Sequence, residues 1–219
     1  RTSRVGRPFT ARLARPEVRS TPVTRALAIA LCVVGLAILN PAAQSHSFSV
    51  VEATVADMQD AMAEGRVTSR ELVQQSLTRI ALYEDQLNAV ITVNRQALQE
   101  AETRDRERAA GKIRGPLHGI PIALKDNVHT SDMPTSGGAL AFAGLIPPYE
   151  ATITKQLRES GAILIAKTQM TELANWVTVG MPGNYNSLTG YGFNPYDPRR
   201  DPRSANADGR PALGTGGSS

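Results

Sequence analysis

Two hydrophobic periodicities alternate along the chain from residue 54 onward, and their order predicts the architecture. Val55, Met58 and Met62 recur at helical spacing up to Gly65, with Thr54 placed to cap the first turn and Asp57 three residues on. A second helix is predicted from Ser69 to about Asn88, capped by Thr68 or Ser69, because Leu72, Val73, Leu77, Ile80 and Ala81 share one face. Ala89 to Val93 reads as a strand, followed by a charged helix from Arg95 to about Ala110. Inside that helix Arg104 to Arg108 alternate in sign, which predicts a solvated face with local ion pairs. The pattern then loses its period: the apolar runs Ile120 to Leu124 and Ala162 to Ala166 predict strands buried on both faces, leading into Lys125 and Lys167. Thr152 to Ser160 predicts a helix with Gly161 as its C-cap, and Thr171 to Val177 predicts a further short one. Strands alternating with helices place the chain in the α/β class.

After Gly180 the pattern fades. Residues 181–219 hold seven glycines and five prolines, so regular structure is not expected there. The remaining composition is that of a chain able to bury a core, with 219 residues, 41% hydrophobic and 20% charged. A net charge of +4 would suggest a nucleic-acid surface, but residues 1–25 carry seven arginines against Glu17 alone, which leaves the rest of the chain slightly acidic. The positive charge stops at Arg25, where the uncharged run Ala26 to Leu39 begins, followed by Asn40-Pro41 and the small-residue stretch Ala42 to Ser45. Basic flank, short apolar run and small residues together read as a secretory signal, and the run is too short to span a bilayer. The expected division is therefore a leader at 1–45 and a folded part at 46–219, with a mature start between about Gln44 and His46. The same reading leads us to expect membrane contact only through the export signal, a periplasmic or secreted location, and no nucleic-acid partner. Neither Arg1 nor Ser219 reads as a natural terminus.

Much chemistry is excluded by residue type. Cys32 is the only cysteine, and His46, His118 and His129 lack metal-ligand spacing, so a metal centre is not expected. Gly209-xxxx-Gly214 is followed by Thr215 where a phosphate loop requires lysine, and neither GxGxxG nor GxSxG is present. Lys125 stands out, because a lysine at the end of an apolar strand is partly desolvated, which disfavours its ammonium form and suits a general base. Asp126 beside it could equally pair with it and keep it charged. Gly216-Gly217-Ser218-Ser219 supplies hydroxyls on a permissive backbone, suited to a proton relay or to a plain flexible segment.

Five blocks taken together carry a resemblance: Gly115-Pro-Leu-His-Gly-Ile-Pro-Ile-Ala-Leu-Lys-Asp-Asn127, Thr135-Ser-Gly-Gly138, Ala166-Lys-Thr-Gln-Met-Thr-Glu-Leu-Ala-Asn175, Asn194-Pro-Tyr-Asp197 and Gly216-Gly-Ser-Ser219. In this order and spacing the chain resembles the amidase signature family from about Val55 to its last residue, and within it secreted bacterial enzymes of the peptide-amidase type. The resemblance implies a mixed β-sheet covered by helices, incomplete in this chain, and a Ser–cis-Ser–Lys triad working without metal or organic cofactor. It makes Lys125 the catalytic lysine and Ser218 the bridging serine after a cis bond, and brings Asn175 and Trp176 toward the acyl-binding cleft. The implied substrate is a small-molecule carboxamide or C-terminal peptide amide. The family's nucleophile and oxyanion donors lie some two dozen residues beyond the bridging serine, so residues 1–219 alone are expected to be inert and poorly stable. The alternatives are an inactive amidase-like scaffold and a component of a tRNA-dependent amidotransferase, and the leader argues against the latter. The oligomeric state is not legible from sequence.

Overall fold

The computed structural model describes residues 48–176 and 179–215, with backbone alone at Asn206, all within the unit His46–Ser219. The leader expected at 1–45, Val177 and Ser218 lie outside the described residues.

Helices α1 (Val55–Ala63) and α2 (Ser69–Leu87) both begin with reciprocal caps. Thr54 Oγ1 accepts from Asp57 N–H at 3.1 Å while Asp57 accepts from Thr54 N–H at 2.8 Å. Thr68 and Glu71 repeat the exchange at 3.1 and 2.8 Å, so two orphan amides are satisfied at each start. Asn88 ends α2 in the left-handed region, which turns the chain into β1 (Val90–Val93). Next come α3 (Ala97–Ala109), β2 (Pro121–Lys125), α4 (Thr152–Glu159) and β3 (Ile163–Thr168). The three strands form a mixed sheet in the order β1-β3-β2, with β1 antiparallel and β2 parallel to the central β3.

β3 is buried through its first five residues, and its two faces meet different layers. Ile163, Ile165 and Ala166 pack with Val73 of α2 and Ala97 and Ala101 of α3. Leu164 packs on the other side with Leu124 and Met133, against Leu157 of α4. Strict alternation would put Ala166 beside Leu164, but the parallel register skips from Ile122↔Leu164 to Ala123↔Ala166. The extra residue, Ile165, is a bulge that returns Ala166 to the α2/α3 side and turns Lys167 to the side of Leu124 and Leu164.

Four expectations are corrected. β2 is only half-buried, with Leu124 its one buried residue, so of these two strands β3 alone is enclosed on both faces. Arg104 to Arg108 hold the expected local pair, Arg104 with Glu107 at 2.8 Å, and Arg106 is exposed, but the run is not simply a solvated face: Asp105 accepts from Ser69 N–H (2.7 Å) and Arg70 N–H (3.0 Å) at the start of α2, where the helix dipole favours an anion. Thr171 to Trp176, the described part of the helix expected at Thr171 to Val177, do not form an α-helix. Glu172–Asn175 make a single irregular turn with Leu173, Ala174 and Asn175 at positive φ. Finally, the segment after Gly180 contains a short hairpin, β4 (Tyr185–Asn186) with β5 (Gly190–Tyr191), and a 3-10 turn at Ser204–Asn206. Buried Asn186 organises the hairpin, accepting from Leu188 N–H and Thr189 N–H while donating to Gln169 Oε1 and Met170 O.

Candidate active site

Lys125 is the last residue of β2 and pairs in register with Thr168 at the end of β3. Two parallel strands therefore finish at the same level, and the polar residues after each gather at that end of the sheet. Lys125 itself is half-buried. Alternation along β2 places Leu124 on the Lys167 side and Lys125 on the opposite one.

Asp126 continues the ladder, its N–H donating to Thr168 O at 3.3 Å. Its side chain is fully buried, and Oδ2 accepts from Ser136 N–H (2.9 Å), Ser136 Oγ (2.5 Å) and Gly138 N–H (3.3 Å). Gly138 holds φ at +75°, and a Cβ there would lie 2.9 Å from Asn186 Cβ, so the loop turns under the carboxylate only with glycine at this position. The other oxygen, Oδ1, accepts no hydrogen bond and lies 3.5 Å from Lys167 Nζ. Lys167 is likewise 0% exposed, and its Nζ donates to Thr135 Oγ1 at 2.8 Å, Pro134 O at 3.2 Å and Asp126 O at 3.4 Å. Burial pushes the Lys167 ammonium below the ordinary lysine range, and Asp126 acts in the opposite direction. The carboxylate next to Lys125 is thus engaged by Lys167, Ser136 and Gly138.

The loop at Ser136–Gly138 also carries the segment containing Asn175 and Trp176. Leu173 N–H donates to Gly137 O at 2.8 Å, Ser187 N–H to Glu172 Oε2 at 2.7 Å, and Asn184 N–H to Thr171 Oγ1 at 2.7 Å. Asn175 sits in the left-handed region at φ 68°, and Trp176 is 89% exposed. A chain of direct contacts therefore joins the end of β2 to the turn that bears these two residues. Ser218 lies outside the described residues, so its distance to Lys125 is not part of this geometry. Among the described residues no three His, Cys, Asp or Glu side chains are grouped to hold a metal ion, and no helix is long and apolar enough to cross a membrane.

A second polar cluster braces the approach to β2. His118 is buried, its Nε2 2.9 Å from Arg104 O and its Nδ1 accepting from Arg114 N–H at 3.2 Å. Glu107 takes Arg104 at 2.8 Å and Arg114 at 2.5 Å, and the Arg114 guanidinium holds its carboxyl down at about 2. Sequence reasoning singles out Lys125 and leaves open a pairing with Asp126. The partner role of Lys167 was hidden by the bulge at Ile165; the only signal was an ionisable residue directly after five apolar ones.

The sequence pattern of the Amidase family matches residues 71–203. The chain is 38% identical over 155 residues to a probable amidase of Arabidopsis thaliana, covering 69% of this chain and 30% of that protein. It is 37% identical over 153 residues to the A-type component of the glutamyl-tRNA(Gln) amidotransferase of Rhodopirellula baltica, with the same coverage of 69% and 30%. Among solved structures, the native peptide amidase from Stenotrophomonas maltophilia aligns with a TM-score of 0.66 at 40% identity, over 72% of this chain and 33% of that one. The chain therefore spans about a third of the length of these relatives.

Proposed function

The chain belongs to the amidase family, and from that membership we propose that the full-length protein hydrolyses the C–N bond of a carboxamide or C-terminal peptide amide through a Ser–cis-Ser–Lys relay. Lys125 is the base, Ser218 the bridge, and the nucleophilic serine lies beyond Ser219. The nucleophile passes its proton to Ser218, which passes its own to the Lys125 amine, and the freed oxygen adds to the amide carbonyl. As the tetrahedral intermediate collapses, the proton returns along the relay to the leaving nitrogen, and ammonia or an amine departs. Water, deprotonated by the same relay, then cleaves the acyl-enzyme. One lysine acts as acceptor and donor in turn, so the relay requires neither histidine, metal nor organic cofactor. Asn175 and Trp176 border the acyl group, and residues 1–219 alone are inert because they hold no matched nucleophile.

The place of Lys125 carries this reading: it is half-buried at the end of β2, beside two parallel strand ends and one residue before an Asp126 engaged elsewhere. Similarity to a peptide amidase at 40% identity supports a peptide amide as substrate. The apolar run after Arg25 supports export of the protein. Similarity to the amidotransferase component favours a second reading, amidation of a charged tRNA. Ammonia release by the full-length protein from a C-terminal peptide amide, compared with glutamine-dependent amidation of glutamyl-tRNA(Gln), separates the two. Release without any tRNA requirement supports hydrolysis, and activity only with tRNA present overturns it.

A further inference from the structure

We propose that the buried pair Asp126 and Lys167 is a clasp that positions Lys125, by locking the end of β2 to the Pro134–Gly138 loop. This rests on the reading of Lys125 as the relay base. Two fully buried ionisable side chains are a costly way to fill a core, since apolar residues of similar volume are commonly as stabilising or more so. What apolar residues cannot do is bind several backbone groups in fixed directions. Lys167 Nζ reaches Thr135 Oγ1, Pro134 O and Asp126 O at once. Asp126 Oδ2 gathers Ser136 N–H, Ser136 Oγ and Gly138 N–H.

The consequence for Lys125 follows from its neighbours in the chain. Its own backbone is registered against Thr168, and the next residue is held at three points: N–H by Thr168 O, C=O by Lys167 Nζ, and carboxylate by the loop. The Lys125 Cα is therefore fixed from both sides, although its side chain stands on the opposite face from the clasp. Relay chemistry is sensitive to such placement, because a displacement of about 1 Å at a reacting group costs on the order of a hundredfold in rate.

Replacing both partners by neutral residues separates position from stability. In the full-length protein, Asp126→Asn with Lys167→Met leaves no uncompensated buried charge but removes the lysine's three hydrogen bonds. The expected result is a cooperatively unfolding protein in which kcat for peptide-amide hydrolysis falls at least about tenfold while KM stays within about threefold. A folded double variant with kcat within about twofold of the parent overturns the proposal. If that variant does not accumulate folded, Thr135→Val decides, since it deletes the acceptor of the shortest Lys167 bond and otherwise only one long bond, from Thr135 Oγ1 to Val128 O at 3.4 Å. A fall in kcat with KM unchanged supports the clasp, and an unchanged kcat overturns it. Lys125→Ala run alongside keeps the two claims apart. Full activity there removes the base assignment and the clasp with it, whereas an inactive Lys125→Ala beside a fully active double variant removes the clasp alone.

Discussion

Lys167 Nζ stands 3.5 Å from Asp126 Oδ1 with both side chains closed to solvent, at the point where β2 and β3 end. Removing one member leaves the other charge buried and uncompensated, at a cost of about 3–5 kcal/mol. Lys167→Met and Asp126→Asn should each show a loss of that order in urea unfolding, and the double variant should lose less than the sum of the two. Additive losses would mean that the two side chains do not interact.

The second prediction concerns the junction of α4 and β3. Gly161 holds φ at +90°, and a Cβ there would lie 2.8 Å from His118 Cα and 2.9 Å from its Nδ1. Gly161→Ala should therefore destabilise the protein by about 2 kcal/mol or more, read as a lowered thermal midpoint. An unchanged midpoint would show that the backbone can move away at no cost.

Acid should loosen the cluster that braces the entry to β2. The carboxyl of Glu107 is held at about 2 in the folded protein against an ordinary 4.5, so its contribution is complete above 4.5 and is lost as pH falls toward 2. Burial also lowers the His118 pKa below its ordinary 6.5, so the fold resists its protonation and stability declines as pH drops through that value. Stability measured from pH 7 to pH 3 should fall, and Glu107→Gln should be less stable at pH 7 with a flatter decline below pH 4.5. An unchanged slope in that variant would remove Glu107 as the cause.

Export can be read directly at the amino terminus. The charge step at Arg25 and the small residues Ala42 to Ser45 predict that exported protein begins between about Gln44 and His46. Amino-terminal sequencing of material from the periplasm or medium checks this, and recovery of an intact 26–45 segment there would contradict it.

The parts of the fold legible in sequence are those decided within a few residues. The caps at Thr54 and Thr68 need partners only three positions away, and α1, α2 and the enclosed β3 follow the expected pattern. The parts that were not legible are decided by distant partners. Thr171 to Val177 has helical composition, yet bonds from Thr171, Glu172 and Leu173 to Asn184, Ser187 and Gly137 hold Leu173 to Asn175 in a left-handed turn. Asp105 sits in an alternating charge run, but its partners are the amides of Ser69 and Arg70 more than thirty residues away. For the site, the placement of Lys125 at a strand end follows from an apolar run that stops at a charge. The engagement of its neighbour by Lys167 depends on one bulged residue, Ile165, which leaves the hydrophobic pattern unchanged.

Ammonia release from a C-terminal peptide amide, measured for the full-length protein and its Lys125→Ala variant, tests the central claim most directly. If Lys125 is the relay base, the folded variant should lose about four orders of magnitude in kcat/KM, because members of such a relay act as a unit. A Lys125→Ala protein that keeps its unfolding transition and turns over within about tenfold of the parent would contradict the account.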